Sequence, residues 1–429
     1  MRKSTIFIII LILLAIAGAG FYYWLYFMRG VEPVVIIDST DPNVFTPINT
    51  NVTPRPTAEP IITPIPDTTS TTTDNIDTTF QMPKLRQISS TPVAGMSAST
   101  TKIRTGGLAS TTVEAVIVRF MDRGTGHVSQ ANNLSFDIEK ISNTTLPKIY
   151  ETYWNKNLNL SILRYLKENT DIITNFYAEI RPVPNAIASS TTPFEIKGKY
   201  LSENINQVAV SPQGDRIFTW NIEGGKGVGY ISAFDEKNKT KIFETPITQM
   251  NIDWPEASVV TATTKSSSVI NGYAYTINTK TTESKKVLGG IRGLSIKMSN
   301  DAKKILYSSG GSTFSTNLLS GLENSEVIFN TIVDKCVWSK LRKNEVYCAV
   351  PVEIPTGTYP DDWYKGVVSF IDQIWILDTD TGEVHLLANL LDLSKTLIDA
   401  TELTLDPSEN YLYFINKRDL SLWSLDLNQ

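Results

Sequence analysis

The chain has 429 residues, 41% of them hydrophobic and 19% charged, with a formal net charge of −5. That is enough apolar material for a large globular core, with room for further segments beside it. The acidic balance and the lack of any Lys/Arg-rich run argue against a general nucleic-acid binder, which needs a basic surface to collect phosphates.

The N-terminus carries the first signal. Arg2 and Lys3 precede an uncharged run from Thr5 through Phe27, aliphatic over Ile6 to Leu14 and aromatic at Phe21, Tyr22, Tyr23, Trp24, Tyr26 and Phe27. At about 1.5 Å per residue, roughly 20 such residues cross the ~30 Å hydrocarbon layer, and the aromatic cluster falls where an interfacial belt belongs. Residues 5–28 are therefore expected to form a transmembrane signal-anchor. The positive charges before the run place residues 1–4 in the cytoplasm and the rest of the chain outside, at the cell surface or in a periplasm. A cleaved signal peptide is the rival, because Ala15-Ile16-Ala17 and Ala17-Gly18-Ala19 fit the small-residue cleavage pattern. Either reading exports the remainder.

Residues 29–112 change texture abruptly. Pro, Ser and Thr dominate, as in Thr53-Pro54-Arg55-Pro56 and the run Thr68 to Thr73. Few large apolar groups are present to offset the entropy of ordering, so a disordered linker is expected, reaching on the order of 50 Å as a coil.

Residues 113–429 read as short β-rich runs separated by polar turns, and a unit recurs. A hydrophobic strand, a turn of the Ser/Asp-Pro-x-Gly/Glu-Asp/Asn kind and a second strand appear across Val208 to Phe218, Ile296 to Tyr307 and Leu403 to Tyr413. Degenerate copies sit at Ile252-Asp253-Trp254-Pro255 and Val337-Trp338-Ser339-Lys340. A second hairpin with an Asp/Asn-x-x-Thr-Gly type of turn follows, clearest from Ile374 to Val384. Each unit is a small antiparallel sheet that cannot cover its own faces, so radial stacking is the expected solution, at a period of about 40–45 residues. The fold class is thus all-β, a β-propeller, with units starting near residues 114, 147, 203, 247, 292, 332 and 400. Seven blades are counted and six remain open. The first unit lacks a clear inner strand and the last shows only three strands, which ring closure by an N-terminal strand would explain.

The turn Ser211-Pro212-Gln213-Gly214-Asp215 resembles that of TolB-type and WD-repeat-like bacterial propellers. The chain also resembles a group of membrane-anchored propeller proteins of small-genome candidate-phylum bacteria, through Ile141 to Pro147 and Gly357 to Tyr364. The resemblance spans 113–429 and implies fold and export, with no particular activity. The Gly-His and Trp-Asp pairs of true WD repeats are absent.

No catalytic constellation stands out. His127 and His385 sit beside β-turns in different units, there is no Gly-x-Ser-x-Gly elbow, and Gly224-Gly225-Lys226-Gly227 reads as a hairpin rather than a phosphate loop. Asp378 to Glu383 lacks the spaced oxygens of a calcium loop and reads as a turn. No metal or cofactor is expected. Cys336 and Cys348 flank a hairpin centred near Arg342, which brings them opposite each other at close to disulfide range. An even cysteine count in an exported domain favours the disulfide over two free thiols.

The one large departure from the repeat is an insertion from Pro351 to Gln373. Tyr359, Asp361, Asp362, Trp363 and Tyr364 on it are candidate binding residues, because aromatic groups beside carboxylates on a long loop suit an interaction surface. The bland alternative is a lid packed on the propeller's own core. Two function classes follow: a cell-envelope binding or scaffolding module for a protein or polysaccharide, or an envelope enzyme, lyase or glycan-active, working in the central funnel. Carboxylates with His or Arg in the funnel would favour the enzyme; a broad aromatic top face would favour the binder.

Overall fold

The computed structural model describes residues 82–105, 111–167, 170, 172–183 and 193–429. They belong to one compact unit, residues 78–429. The expected membrane span and the linker up to residue 81 lie outside the described residues. Among the described residues no helix is long and apolar enough to cross a membrane.

Seven four-stranded antiparallel sheets make up the unit, so the fold is a seven-bladed β-propeller. Blades 1 to 6 span residues 93–140, 151–200, 205–245, 250–292, 295–326 and 336–389. Within each, the four strands follow one another in space as in sequence. Blade 7 is composite. Its first three strands, Ala400–Leu405, Tyr411–Asn416 and Leu422–Asp426, are joined on the outside by Leu85–Ser89. Leu85 pairs with Leu425 and Gln87 with Trp423, and Asp426 donates its backbone N–H to Lys84 at 2.7 Å. The expected ring closure is therefore observed, by a strand read beforehand as linker.

That reading also misplaced the inner strand of blade 1. It is Val93–Thr105, paired along its whole length with Thr111–Asp122. The folded domain thus begins some thirty residues before the boundary at 112, at residue 82 among the described residues. The cause is composition: Ser and Thr in this stretch look like linker, yet Thr is a good strand residue, and Ser97 and Ser99 alternate here with Met96 and Ala98.

The core lies between the blades. Phe218 and Trp220 of blade 3 pack on Met250, Trp254 and Val260 of blade 4, and equivalent clusters fill the other gaps. Cys336 and Cys348 are register partners on the first two strands of blade 6 and are joined by a disulfide.

Candidate functional site

The inner strands of the seven blades surround a central channel. Its lower face is defined here as the end where first and second strands join, and the turns at that end are built alike. The opening side chain folds back over its own turn: Ser211 Oγ accepts from the N–H groups of Asp215 and Arg216, and Ser299 Oγ from those of Lys303 and Lys304. Asn155 Oδ1 does the same for Asn159 and Leu160, and the Asp406 carboxylate for Ser408 and Tyr411. This is why Ser, Asp or Asn opens each turn. The fourth residue is left-handed in four of them: Leu158 (φ 58°), Gly214 (74°), Ala302 (57°) and Glu409 (53°). At Gly214 a Cβ would also lie 2.5 Å from the backbone nitrogen of Lys156, so glycine lets blade 3 seat against the turn of blade 2.

This geometry aims the second residue of each turn at the channel mouth. Lys156, Pro212, Asn300, Lys340 and Pro407 all line a cavity of about 500 Å³ to which every blade contributes. Trp154, Trp254 and Trp338, at the ends of inner strands, form its walls but are buried between blades, at 7%, 3% and 4% exposure. Three ammonium groups face the space. Lys297 pairs with Asp253 at 3.2 Å, and that carboxylate holds its ammonium above the ordinary lysine value. Lys156 and Lys340 make no ion pair among the described residues. Although the Lys340 side chain is reached by solvent through the mouth, partial loss of water inside the ring, and next the charge of Lys156, push its ammonium below its ordinary value. The other carboxylates at the mouth are taken. Glu409 is buried and accepts from Ser339 Oγ and from the N–H groups of Lys340 and Leu341, while Asp406 serves its own turn.

The upper half of the channel is acidic. Glu402 lies at a bulge in the inner strand of blade 7, between Thr401 and Thr404, with φ at 53°. Its side chain remains open to the channel's water, and partial loss of hydration inside the ring, and next the charge of Glu151, raise its carboxyl to about 7. Glu151 itself is locked. It accepts from the buried Arg164 guanidinium at 2.5 Å and from Tyr153 at 3.2 Å, and Arg164 also holds Asn175 and the carbonyl of Asn206. A carboxyl of raised proton affinity, Glu402, thus shares the channel with an ion-paired carboxylate, Glu151.

The insertion of blade 6 covers part of the upper face, and most of its candidate binding residues turn inward. Tyr359 is fully buried and Trp363 is 3% exposed, both stacked around Phe370, with Phe314 edge-on to Tyr359. The Trp363 indole donates to Asp399 at 3.0 Å. Asp399 and Asp372 flank Lys335, and all three are fully buried. Asp361 accepts from Ser268 N–H of blade 4 at 2.7 Å, Asp362 from Thr358 N–H at 2.8 Å, and Tyr364 donates to Asp334. The strap therefore ties blades 4 to 7 together, and of its candidate binding residues the two carboxylates and the edge of Tyr364 reach the surface. His127 contacts Thr145, in the connection between blades 1 and 2, and His385 lies on the outer strand of blade 6, with blade 7 between them in the ring. Asp378 to Glu383 forms an ordinary turn in which Asp378 Oδ1 accepts from Asp380 and Thr381 N–H groups. Among the described residues no group of three or more His, Cys, Asp or Glu is placed to hold a metal.

Sequence reasoning missed Lys156 and Glu402. The first stands directly after Trp154-Asn155, a copy of the Trp338-Ser339-Lys340 turn, and that parallel was the available signal. Glu402 shows itself only through a backbone bulge, which leaves no mark in composition.

Fold and channel define the class: a seven-bladed β-propeller with a central channel open to a cavity at its lower mouth and a strap over part of its upper face. No protein-family model matches the chain, and no curated protein matches it. Solved structures with a similar course include an oligogalacturonate lyase in complex with manganese, 10% identical over 80% of this chain and 98% of that one, TM-score 0.48. TolB from Acinetobacter baumannii is 10% identical over 67% and 78% of the two chains, TM-score 0.39. The β-propeller domain of the trilobed protease from Pyrococcus furiosus is 12% identical over 59% and 74%, TM-score 0.38.

Proposed function

We propose that this protein is a membrane-tethered binding and scaffolding module of the cell envelope, with the central channel as its ligand site and the disc held outside the cytoplasm. Anchoring through the run from Thr5 to Phe27 rests on the length and charge pattern of that segment. The observation that carries the binding reading is the lower-face cavity of about 500 Å³, to which all seven blades contribute and where Lys156 and Lys340 have no ion-pair partner. Concave, preformed sites with a few converging polar groups are where ligands bind. The strap supports the disc, and of its candidate binding residues only Asp361, Asp362 and Tyr364 stay within reach of a partner.

The test is capture from envelope extract, protein and polysaccharide fractions both, with the full chain in neutral detergent beside Lys156→Glu/Lys340→Glu. A partner held by the natural chain and lost by the double variant supports the reading. No partner, or one held equally by both, overturns the channel as the site.

The enzyme is the second reading, favoured by Glu402 beside the locked Glu151. Against it, Arg164 and Tyr153 are spent on Glu151, leaving a single free carboxyl among these groups. Turnover of envelope glycans by the natural chain, abolished in Glu402→Gln, would decide for the enzyme.

A further inference from the structure

The lower mouth has an electrostatic imbalance that the protein does not resolve with its own groups. Lys156 comes from blade 2, Lys297 from blade 5 and Lys340 from blade 6, and all three reach one enclosed space. They converge although the whole chain is acidic, with a net charge of −5. Of the carboxylates nearby, Asp253 is matched by Lys297, while Glu409 and Asp406 are buried and saturated by hydrogen bonds from the turns. Two ammonium groups are left over. The same turn geometry fixes their backbone positions on opposite parts of the ring, so both side chains start from the mouth.

Like charges gathered in a concave site of reduced polarity repel one another, and an anion that bridges them removes the repulsion while gaining charge-assisted hydrogen bonds. We infer that the lower mouth of the channel binds a multivalent oxyanion, a ligand carrying two or more phosphate or carboxylate groups, clamped between Lys156 and Lys340. The cavity is larger than one such group needs, so the ligand extends along the mouth, between walls formed by the three tryptophans. Partial desolvation first, and the charge of Lys156 second, lower the proton affinity of Lys340, in keeping with the geometry. The inference deepens the binding-module reading and rests on its choice of the channel.

The experiment is calorimetric titration of the full chain in neutral detergent with tripolyphosphate and, separately, with citrate. The two arms distinguish phosphate from carboxylate chemistry. Binding of either probe is expected, weaker at raised salt, and weaker by about tenfold or more for each of Lys156→Gln and Lys340→Gln. Lys303→Gln, on the same face but outside the cavity, should bind as the natural chain does. Both tested lysines are exposed, so melting curves of the variants should match and separate lost binding from lost folding. No binding of either probe, or binding indifferent to Lys156 and Lys340, overturns the inference. If an envelope partner is captured but tripolyphosphate and citrate do not compete with it, the anion chemistry fails while the binding module stands. If the probes bind at the lysines and no envelope partner is captured, the anion site stands and the scaffold reading falls.

Discussion

Glu402 joins two costs in one residue: a left-handed backbone inside a strand, and a carboxyl placed where ionisation is opposed by lost hydration and by Glu151. The folded chain therefore holds this proton more tightly than the unfolded chain, in which the group titrates near 4.5. Between that value and about 7 the native state binds more protons, so the contribution of Glu402 to stability is full below the unfolded value and is lost as pH rises through the window. The melting temperature of the natural chain should fall from about pH 5 to about pH 8, and Glu402→Gln should remove part of that fall. Parallel pH curves for the two proteins would mean that Glu402 is ionised throughout. Asp372 acts in the same direction. Burial, opposed in part by Lys335, and the nearby Asp399 raise its carboxyl to about 6, so some slope should survive in the variant.

At the scale of elements, the strap is held by a buried aromatic stack above a buried ion triad. Lys335 lies between Asp372 and Asp399, 5.4 Å from the Trp363 ring and 5.1 Å from that of Phe370. Trp363→Ala should cost about 3–5 kcal/mol in denaturant unfolding, because it empties a core site and takes a donor from Asp399. A cost under about 1 kcal/mol would show that the indole is not packed as described. That variant is accordingly a poor probe of binding, although the sequence invites its use as one. Aromatic residues beside acids on a long loop look alike whether they face a partner or the protein's own interior. What separates the two cases is Phe314, Lys335 and Phe370, brought together from two neighbouring blades. The turns were legible for the opposite reason. Ser211, Ser299 and Asp406 satisfy backbone groups within five residues of themselves, so their chemistry is written locally. The cysteine pairing was legible too, since a hairpin's register follows from counting along its two arms.

At the scale of the whole molecule, seven sheets form a closed ring only because Leu85–Ser89 completes the last one. Arg86 strengthens the joint, since its guanidinium, on the strand of blade 7, donates to the carbonyls of Asn132, Ser135 and Phe136 of blade 1. A chain beginning at residue 82 should keep the fold and melt cooperatively. A chain beginning at Val113 loses the closing strand and the inner strand of blade 1, leaves Leu422–Asp426 as an open edge, and should aggregate or melt without a sharp transition. Circular dichroism melts with size-exclusion chromatography would check this, and a cooperative, monomeric short chain would refute it. The same joint has a mechanical meaning. Tension applied to the chain ahead of residue 82 enters the disc through one short strand with four register pairs, Leu85 to Leu425, Arg86 to Ser424, Gln87 to Trp423 and Ser89 to Leu422. Such a pull should act first on the clasp between blades 7 and 1, opening the ring at a single seam while the other six blades keep their strands.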